Sequence, residues 1–350
     1  MYQPNKIFFI SLWILLLATV IIAIAFGAVK LAPVDMWLAI KHFFSGLPPQ
    51  NIYEGVFLQL RLPRVLLCCI VGAILSASGV LMQGLFRNPI VEPGLVGTSA
   101  GAAFGASIVF VMAGSFSPQF KAITGPLLVP IFAFAGGMLA TWAVYVLAKA
   151  KRRVGVTALL LVGIAINAVG LSGTGFMSYI ARDPQARSIT FWNLGTFSGA
   201  GWLQVYLTGS IAAIIFFISL RYAKQLNALI LGDEEAAYLG VNTTRLKKRL
   251  MIYNTAMVAV ATAFVGVISF VGLIVPHVLR LLIGSDNRSL LPASMIFGAI
   301  LMCLTDLLAR LLLAPAEIPV GIITSLVGAP VFIFLLKKHH VLNEGGGNYD

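Results

Sequence analysis

The chain has 350 residues, of which 59% are hydrophobic and 10% are charged, and its net charge is +12. Soluble domains average roughly 45–50% apolar and about 25% charged residues, so this composition excludes a soluble protein and indicates a polytopic membrane protein. In a soluble chain such a charge would suggest a nucleic-acid partner. Here we expect none, because the basic residues collect on one side of the predicted spans, next to membrane lipid.

Ten apolar segments predict an all-α fold, a polytopic bundle of about ten transmembrane helices in a single domain over residues 1–340. The glycine-rich tail, residues 341–350, is predicted to be disordered and cytoplasmic. The first segment lacks a small-residue cleavage site, so we expect it to be retained as a helix. The segments cover residues 7–29, 62–86, 94–113, 124–148, 154–180, 203–222, 250–268, 271–283, 290–312 and 318–336.

Two stretches depart from ordinary membrane spans. Residues 34–46 (VDMWLAIKHFFSG) mix aromatic and charged side chains and are predicted to lie at the outer interface. Segment eight, with about 13 residues, reaches only ~20 Å as a helix, which is less than the ~30 Å hydrocarbon core. It contains Pro276 and His277, and we expect neighbouring helices to bury it.

The basic residues determine the predicted orientation. With the N-terminus in the cytoplasm, sixteen of the 24 basic residues lie on the inside, in agreement with the positive-inside bias. They include the KAKRR cluster at 149–153 and the RLKKR cluster at 245–249. The reverse orientation would place both clusters outside, so both termini are predicted to be cytoplasmic.

One polar stretch interrupts the apolar sequence between segments six and seven. Residues 221–249 carry nine charged side chains. The pattern predicts two short helices around a turn, an amphipathic hairpin over about 226–244, in which Gly232 and Gly240 break the chain and Asp233 is an N-cap. We interpret this hairpin as a docking surface for a soluble partner, and the alternative is a merely solvated loop.

Motifs for catalysis are missing from the sequence. It has no GxxxxGK[ST] phosphate-binding loop, no HExxH and no cysteine cluster, so we predict no enzymatic activity, no cofactor and no metal site in this chain. Asp306, inside segment nine, precedes Arg310 by four residues, the favourable order for an ion pair on one helix face. We expect Asp306 to orient Arg310, and the alternative is a proton relay in an ion-coupled secondary carrier.

Charged residues at the segment ends have more than one interpretation. Glu92 directly precedes Pro93, and Glu317 stands two residues before Pro319, in each case where a new segment begins, and we assign both to the helix starts. Arg61 and Arg64 lie three residues apart at the outer mouth of segment two, and with Arg310 they form a predicted positive patch for an acidic partner. The alternative is that these side chains snorkel to lipid headgroups.

Four long motifs follow one another along the chain: RLPRVLLCCIVGAILSASGVLMQGLFRNPIVEPGLVGTSAGA (61–102), FWNLGTFSGAGW (191–202), SFVGLIVPHVLRLLIGSDNRSLLP (269–292) and DLLARLLLAPAEIPVGIITSLVGAPVFIFLLKK (306–338). They resemble the FecCD-type permeases of ABC importers for iron-siderophores, haem and vitamin B12. The resemblance implies a type II importer in the bacterial inner membrane. Its implied cargo is an iron chelate, either a ferric siderophore or haem, and cobalamin is the alternative.

The resemblance also implies the partners of this chain. Two ten-helix permease subunits, expected to be a homodimer, enclose the translocation path. Two separate ABC ATPase subunits bind ATP and magnesium on the cytoplasmic side. An extracytoplasmic binding protein delivers the cargo, so this chain itself needs no charged cargo site.

Single residues receive roles from the same resemblance. It implies that binding-protein glutamates pair with Arg61, Arg64 and Arg310. It implies that the hairpin fits a groove of the ATPase through Leu226, Gly232, Asp233, Glu234, Ala237, Leu239 and Gly240. It implies that segments five and ten line the path and that its cytoplasmic end is narrowed by Asn88, Ile90 and Thr157.

Overall fold

The computed structural model describes residues 6–27, 29, 31–112, 117, 119–120, 124–150 and 153–344. The helices are α1 Lys6–Ala25, α2 Pro33–Phe44, α3 Ile52–Gly55, α4 Leu62–Phe86, α5 Thr98–Met112, α6 Leu128–Leu147, α7 Val156–Ile180, α8 Asp183–Asn193, α9 Trp202–Leu231, α10 Asp233–Tyr238, α11 Thr243–Val265, α12 Val271–Ile283, α13 Asn287–Leu311 and α14 Val320–Glu344. The connecting elements are a π-helical turn at Val56–Arg61, 3-10 turns at Pro93–Val96 and Gly125–Leu127, and two antiparallel two-residue strands, β1 Lys149–Ala150 and β2 Arg153–Val154.

The ten predicted segments coincide with ten of these helices, and the all-α membrane fold is confirmed. Segments two and eight have the same bounds as α4 and α12. Among the described residues, six helices are long and apolar enough to cross a membrane, and three shorter apolar helices accompany them. One of these, α5, is short because Gly97, with a left-handed φ of 88°, separates it from the preceding 3-10 turn.

α4 is the central helix of the bundle, and it packs against α9, α11, α12 and α13. Two of its glycines allow very close approach. A Cβ at Gly72 would collide with the backbone oxygen of Gly298 in α13, and a Cβ at Gly79 would collide with that of Gly272 in α12. Small residues therefore bring three helix backbones together, as they do at membrane helix interfaces generally.

The half-span α12 is buried by its neighbours, as predicted. It contacts α4, α13 and α14, and most of its side chains lie inside the protein. Phe270, which precedes it, has a left-handed φ of 70°, and the backbone N–H of this residue donates to Glu92 Oε1 at 3.1 Å. A carboxylate from a distant part of the chain therefore satisfies a backbone donor at the start of the broken element.

Three features differ from the sequence prediction. The helix α8 is not indicated by the apolar pattern. α9 has 30 residues, which is about 45 Å at 1.5 Å per residue, so the first half of the predicted hairpin is the end of a long helix. α14 continues to Glu344, so residues 341–344 of the predicted tail are helical, and residues 345–350 lie outside the described residues.

Several of the described helices leave apolar faces uncovered in the isolated chain, and α7 and α14 are among them. The exposed large apolar side chains of α7 are Leu161, Ile164, Val169, Leu171, Phe176, Tyr179 and Ile180. Those of α14 are Leu326, Val327, Val331, Ile333 and Phe334. Continuous faces of this kind are covered in a membrane by lipid or by another subunit.

Candidate functional site

A group of charged side chains, here called the arginine cluster, lies where α4 begins and α13 ends. It consists of Arg61, Arg64, Asp306, Arg310 and Glu317. The Asp306 side chain, which is 1% exposed, accepts from Arg64 Nη2 at 2.9 Å and from Arg310 Nε at 3.0 Å. The predicted ion pair of Asp306 with Arg310 is confirmed, and the same carboxylate also holds Arg64.

Arg61 and Arg310 point inward and bind the end of α1. Arg61 donates to the carbonyls of Phe26 and Val29, at 2.8 and 3.1 Å. Arg310 donates to the carbonyls of Ala23 and Phe26, at 2.9 and 3.0 Å. Cationic side chains at a helix C-terminus satisfy carbonyls that lack helical partners. Both arginines are therefore buried, whereas the sequence predicted a patch open to a partner or to lipid headgroups.

The assignment of Glu317 to a helix start is wrong. α14 begins only at Val320, and the Glu317 carboxylate accepts from Arg64 Nη1 and Nη2, at 2.9 and 3.0 Å. Sequence periodicity carries no signal for this pair, because its members are 253 residues apart. Arg64 therefore lies between a buried carboxylate, Asp306, and an exposed one, Glu317.

The other end of α4, about 37 Å away along the helix, carries a second charged group. Arg87 donates to Asp233 Oδ1 at 2.6 Å, and Lys247 of α11 donates to Asp233 Oδ2 at 2.7 Å. Asp233 is the first residue of α10, and Gly232 is its N-cap with a φ of 152°. The predicted N-cap role of Asp233 is therefore wrong. Its carboxylate instead ties the hairpin, defined here as residues 232–242, to α4 and α11.

The hairpin presents an exposed tip. Tyr238 is 90% exposed and Leu239 is 64% exposed. The predicted coupling residues that are exposed with them are Asp233, Glu234, Ala237 and Gly240. Leu226 is different, because it is 1% exposed and packs on Gly84 of α4. It is a core residue of α9, and its predicted place on the coupling surface is wrong.

The three predicted gate residues lie at the hairpin end of the bundle. Asn88 and Ile90 follow Arg87, and Asn88 Oδ1 accepts from the Ile90 N–H at 2.9 Å, which fixes this turn. Thr157 is exposed in the first turn of α7, directly after β2, which contacts α11. The position of all three residues at the same end of the bundle agrees with a constriction of the path there. Their action as a gate stays a prediction.

A cavity of about 490 Å³ with a partly polar lining opens beside α7. Its polar lining residues are Glu92, Ser99, Asn167, Thr174, Asn193 and Ser269. Glu92 stands at the N-cap position of the 3-10 turn Pro93–Val96, as predicted for a helix start, but its carboxylate accepts from the Phe270 N–H and does not cap that turn. In the described part of the chain, no three His, Cys, Asp or Glu side chains lie close enough together to hold a metal ion.

Asp286 lies between α12 and α13 at the hairpin end of the bundle, and it connects α13 to α9. Its Oδ1 accepts from the Arg288 N–H at 3.0 Å, which caps α13, and from Asn227 Nδ2 of α9 at 2.7 Å. Asn227 Oδ1 in turn accepts from the Asn287 N–H at 2.9 Å. The hydrogen bonds from Arg288, followed by those from Asn227, lower the pKa of the Asp286 carboxyl to about 2.

Replacing Asp286 with alanine is expected to lower the free energy of unfolding by about 1–2 kcal/mol, the usual effect of losing an N-cap. Because the pKa is lowered in the folded state, the carboxylate's contribution is complete above the ordinary value of 3.8 and disappears as the pH falls towards about 2. Thermal melts of the purified protein at pH 7 and at stepwise lower pH measure this. Asp286→Asn keeps the cap and should melt closer to wild type, and equal melting of Asp286→Ala and wild type at pH 7 would contradict the assignment.

A model of the FecCD transport family matches residues 15–338. The chain belongs to this family. The hemin transport system permease protein HmuU of Yersinia pestis is 41% identical to it, over 83% of this chain and 85% of the relative. The vitamin B12 import system permease protein BtuC of Vibrio cholerae is 35% identical, over 87% of this chain and 88% of the relative.

The structure of this FecCD protein supports the same conclusion. A metal-chelate type ABC transporter solved in an inward-facing conformation matches it with a TM-score of 0.81 and 32% identity, over 95% of this chain and 99% of that one. The resemblance found in the motifs is therefore confirmed. The chain is a multi-pass inner-membrane permease of the ABC importer class, in which ATP hydrolysis belongs to separate subunits.

Proposed function

We propose that this FecCD permease carries an iron chelate, either a ferric siderophore or haem, inward across the bacterial inner membrane at the expense of ATP. The observation that carries the cargo assignment is the 41% identity with a hemin permease. Cobalamin is the second candidate, because permeases named for vitamin B12 or cobalamin import are 34–38% identical over most of this chain. The higher identity with the hemin permease favours the iron chelate.

A second copy of the chain is proposed to complete the path. The uncovered apolar faces of α7 and α14 support this, since no other helix in the described part of the chain covers them. The α7 face also adjoins the cavity beside this helix, where Leu171 is a lining residue. On α7, Gly163 and Gly170 are buried against this chain, whereas Ala165 and Ala168 are exposed. The exposed pair therefore belongs to the surface we assign to the path or to the second subunit.

The two ends of α4 are proposed to receive the two soluble partners. With the termini in the cytoplasm, the hairpin lies on the ATPase side, and the arginine cluster lies on the outer side, where a binding protein docks. Arg64 is the best placed docking residue, since its outer partner Glu317 is exposed. Arg61 and Arg310 are buried and act mainly by holding α1 and the cluster in place.

ATP-driven uptake into proteoliposomes tests the proposed function. The permease is reconstituted with its ATPase, and the binding protein is added with haem, a ferric siderophore or cobalamin. We expect ATP-dependent accumulation of one iron chelate, at least about tenfold above cobalamin, a ratio typical of specific recognition. Accumulation of cobalamin instead supports the second candidate, and accumulation driven by an ion gradient without ATP contradicts the importer assignment.

A further inference from the structure

Arg64 divides its N–H groups between two carboxylates. Its Nε and Nη2 donate inward to Asp306 Oδ1, at 3.1 and 2.9 Å. Its Nη1 and Nη2 donate outward to Glu317 as a bidentate fork, at 2.9 and 3.0 Å. The inner partner is buried, and the Glu317 side chain is 38% exposed. The outward fork of Arg64 is therefore already occupied by a carboxylate at the surface.

The position of Glu317 makes this contact easy to exchange. Glu317 belongs to the exposed connection between α13 and α14, and its described side-chain bonds all go to Arg64. The next residue is anchored independently, because the Ile318 N–H donates to Ala309 O at 3.0 Å. The Glu317 side chain can therefore leave Arg64 while the backbone on its C-terminal side stays in place, and an exposed ion pair contributes little to stability.

An outer cavity provides room for an incoming side chain. It has a volume of about 280 Å³, and its lining includes Arg64, Glu317, Pro315 and the exposed Ser198. A carboxylate that enters this cavity reaches the same fork that Glu317 occupies. Because an arginine fork binds carboxylates of any origin with the same geometry, an external glutamate or aspartate is a direct substitute for Glu317.

We propose that Glu317 is an internal competitor of the binding protein, because it occupies the Arg64 fork in the resting permease and gives it up to a carboxylate of the docking partner. This inference rests on the docking role of Arg64 in the proposed function. The exchange replaces one carboxylate by another, so Arg64 remains paired before and after docking. Glu317 thereby weakens docking and helps the partner to leave after delivery.

The net charge of the arginine cluster predicts a second measurable effect, on the salt dependence of binding-protein affinity. Three guanidinium groups face two carboxylates, so removal of the Glu317 charge increases the positive charge of the cluster by one. A more positive docking surface attracts an acidic partner more strongly at low salt, and salt screens this attraction. Loss of the competitor is therefore expected to raise both the affinity and its salt dependence.

Surface plasmon resonance tests the inference with the full-length permease–ATPase complex in nanodiscs and the purified, cargo-loaded binding protein. We expect Glu317→Gln to raise the affinity about threefold to fivefold, the range that corresponds to an exposed ion pair. Arg64→Gln should lower the affinity, and adding Glu317→Gln to it should give no gain. Asp183→Asn is the matched control, because it removes an exposed carboxylate at the start of α8, outside the cluster, and should leave the affinity unchanged.

The variants separate the two levels of the proposal. An unchanged or lower affinity of Glu317→Gln, together with a loss in Arg64→Gln, overturns the competitor role and leaves the docking role standing. An unchanged affinity of Arg64→Gln overturns the docking role, and the competitor role with it. Equal gains in Glu317→Gln and Asp183→Asn show a general charge effect and also overturn the competitor role. Melting curves of all variants confirm that the compared proteins are folded.

Discussion

Replacing Leu239 with aspartate is expected to abolish ATP-driven transport while the permease stays folded in the membrane. Leu239 is 64% exposed at the hairpin tip, so the folded chain does not need its side chain for its own core. If the ATPase covers this tip, the new carboxylate loses water without gaining a partner. Burial of an unpaired charge is costly enough to reduce the ATPase affinity at least about 100-fold.

Co-purification of the ATPase with the tagged permease measures this loss, and uptake into proteoliposomes measures its consequence. Leu239→Met is the matched control, since it keeps the apolar volume and should retain both activities. The melting temperature of Leu239→Asp should equal that of wild type, because an exposed position is changed. Normal ATPase recovery and uptake by Leu239→Asp would remove the hairpin tip from the coupling surface.

The same region shows where sequence reasoning succeeds and where it stops. The part of the predicted hairpin from Gly232 onwards follows from the sequence. Gly232 and Gly240 interrupt the helix, and the acidic residues Asp233–Glu235 begin a new one. The sequence prediction misplaces Leu226 because the polar residues around Arg221 resemble a helix end, whereas in the structure they mark the point where α9 leaves the apolar layer. A 30-residue helix is longer than the ~20 residues that span a membrane, and it continues into the polar region.

The arginine cluster was predictable only in its local pair. Asp306 and Arg310 are four residues apart on one helix, so their contact follows from helix geometry. The contacts of Arg64 with Asp306 and Glu317 join residues 242 and 253 positions apart, and those of Arg61 reach the end of α1. Such pairs depend on which helices pack together. The small residues of α4 predict close helix packing, but they do not indicate which helix packs against each face.

Asp306→Asn is expected to destabilise the permease by about 3–5 kcal/mol, the cost of breaking a buried ion pair. The Asp306 side chain is 1% exposed and accepts hydrogen bonds from both Arg64 and Arg310. The amide of asparagine has nearly the same shape, but it has no charge and can turn a donor towards a guanidinium. Arg310 then keeps only the carbonyls of Ala23 and Phe26 among its described partners.

Thermal melts in nanodiscs measure this effect, and Glu317→Gln provides the matched control. It also removes one carboxylate from Arg64, but an exposed one, so it should cost no more than about 1 kcal/mol. The contrast between the two variants therefore reports the combined effect of burial and of the additional bond from Arg310 to Asp306. Similar melting temperatures for Asp306→Asn and Glu317→Gln would contradict the structural role of Asp306.

Transport by Asp306→Asn decides between the structural role and a proton relay. If Asp306 relays protons, the asparagine variant stops transport while its melting temperature stays close to that of wild type, because the fold does not depend on the charge. If Asp306 holds the arginine cluster, stability falls first, and the molecules that remain folded still transport at low temperature. The bonds from Arg64 and Arg310 occupy both oxygens of the carboxylate, which leaves little capacity for a travelling proton. We therefore expect transport to follow the folded fraction.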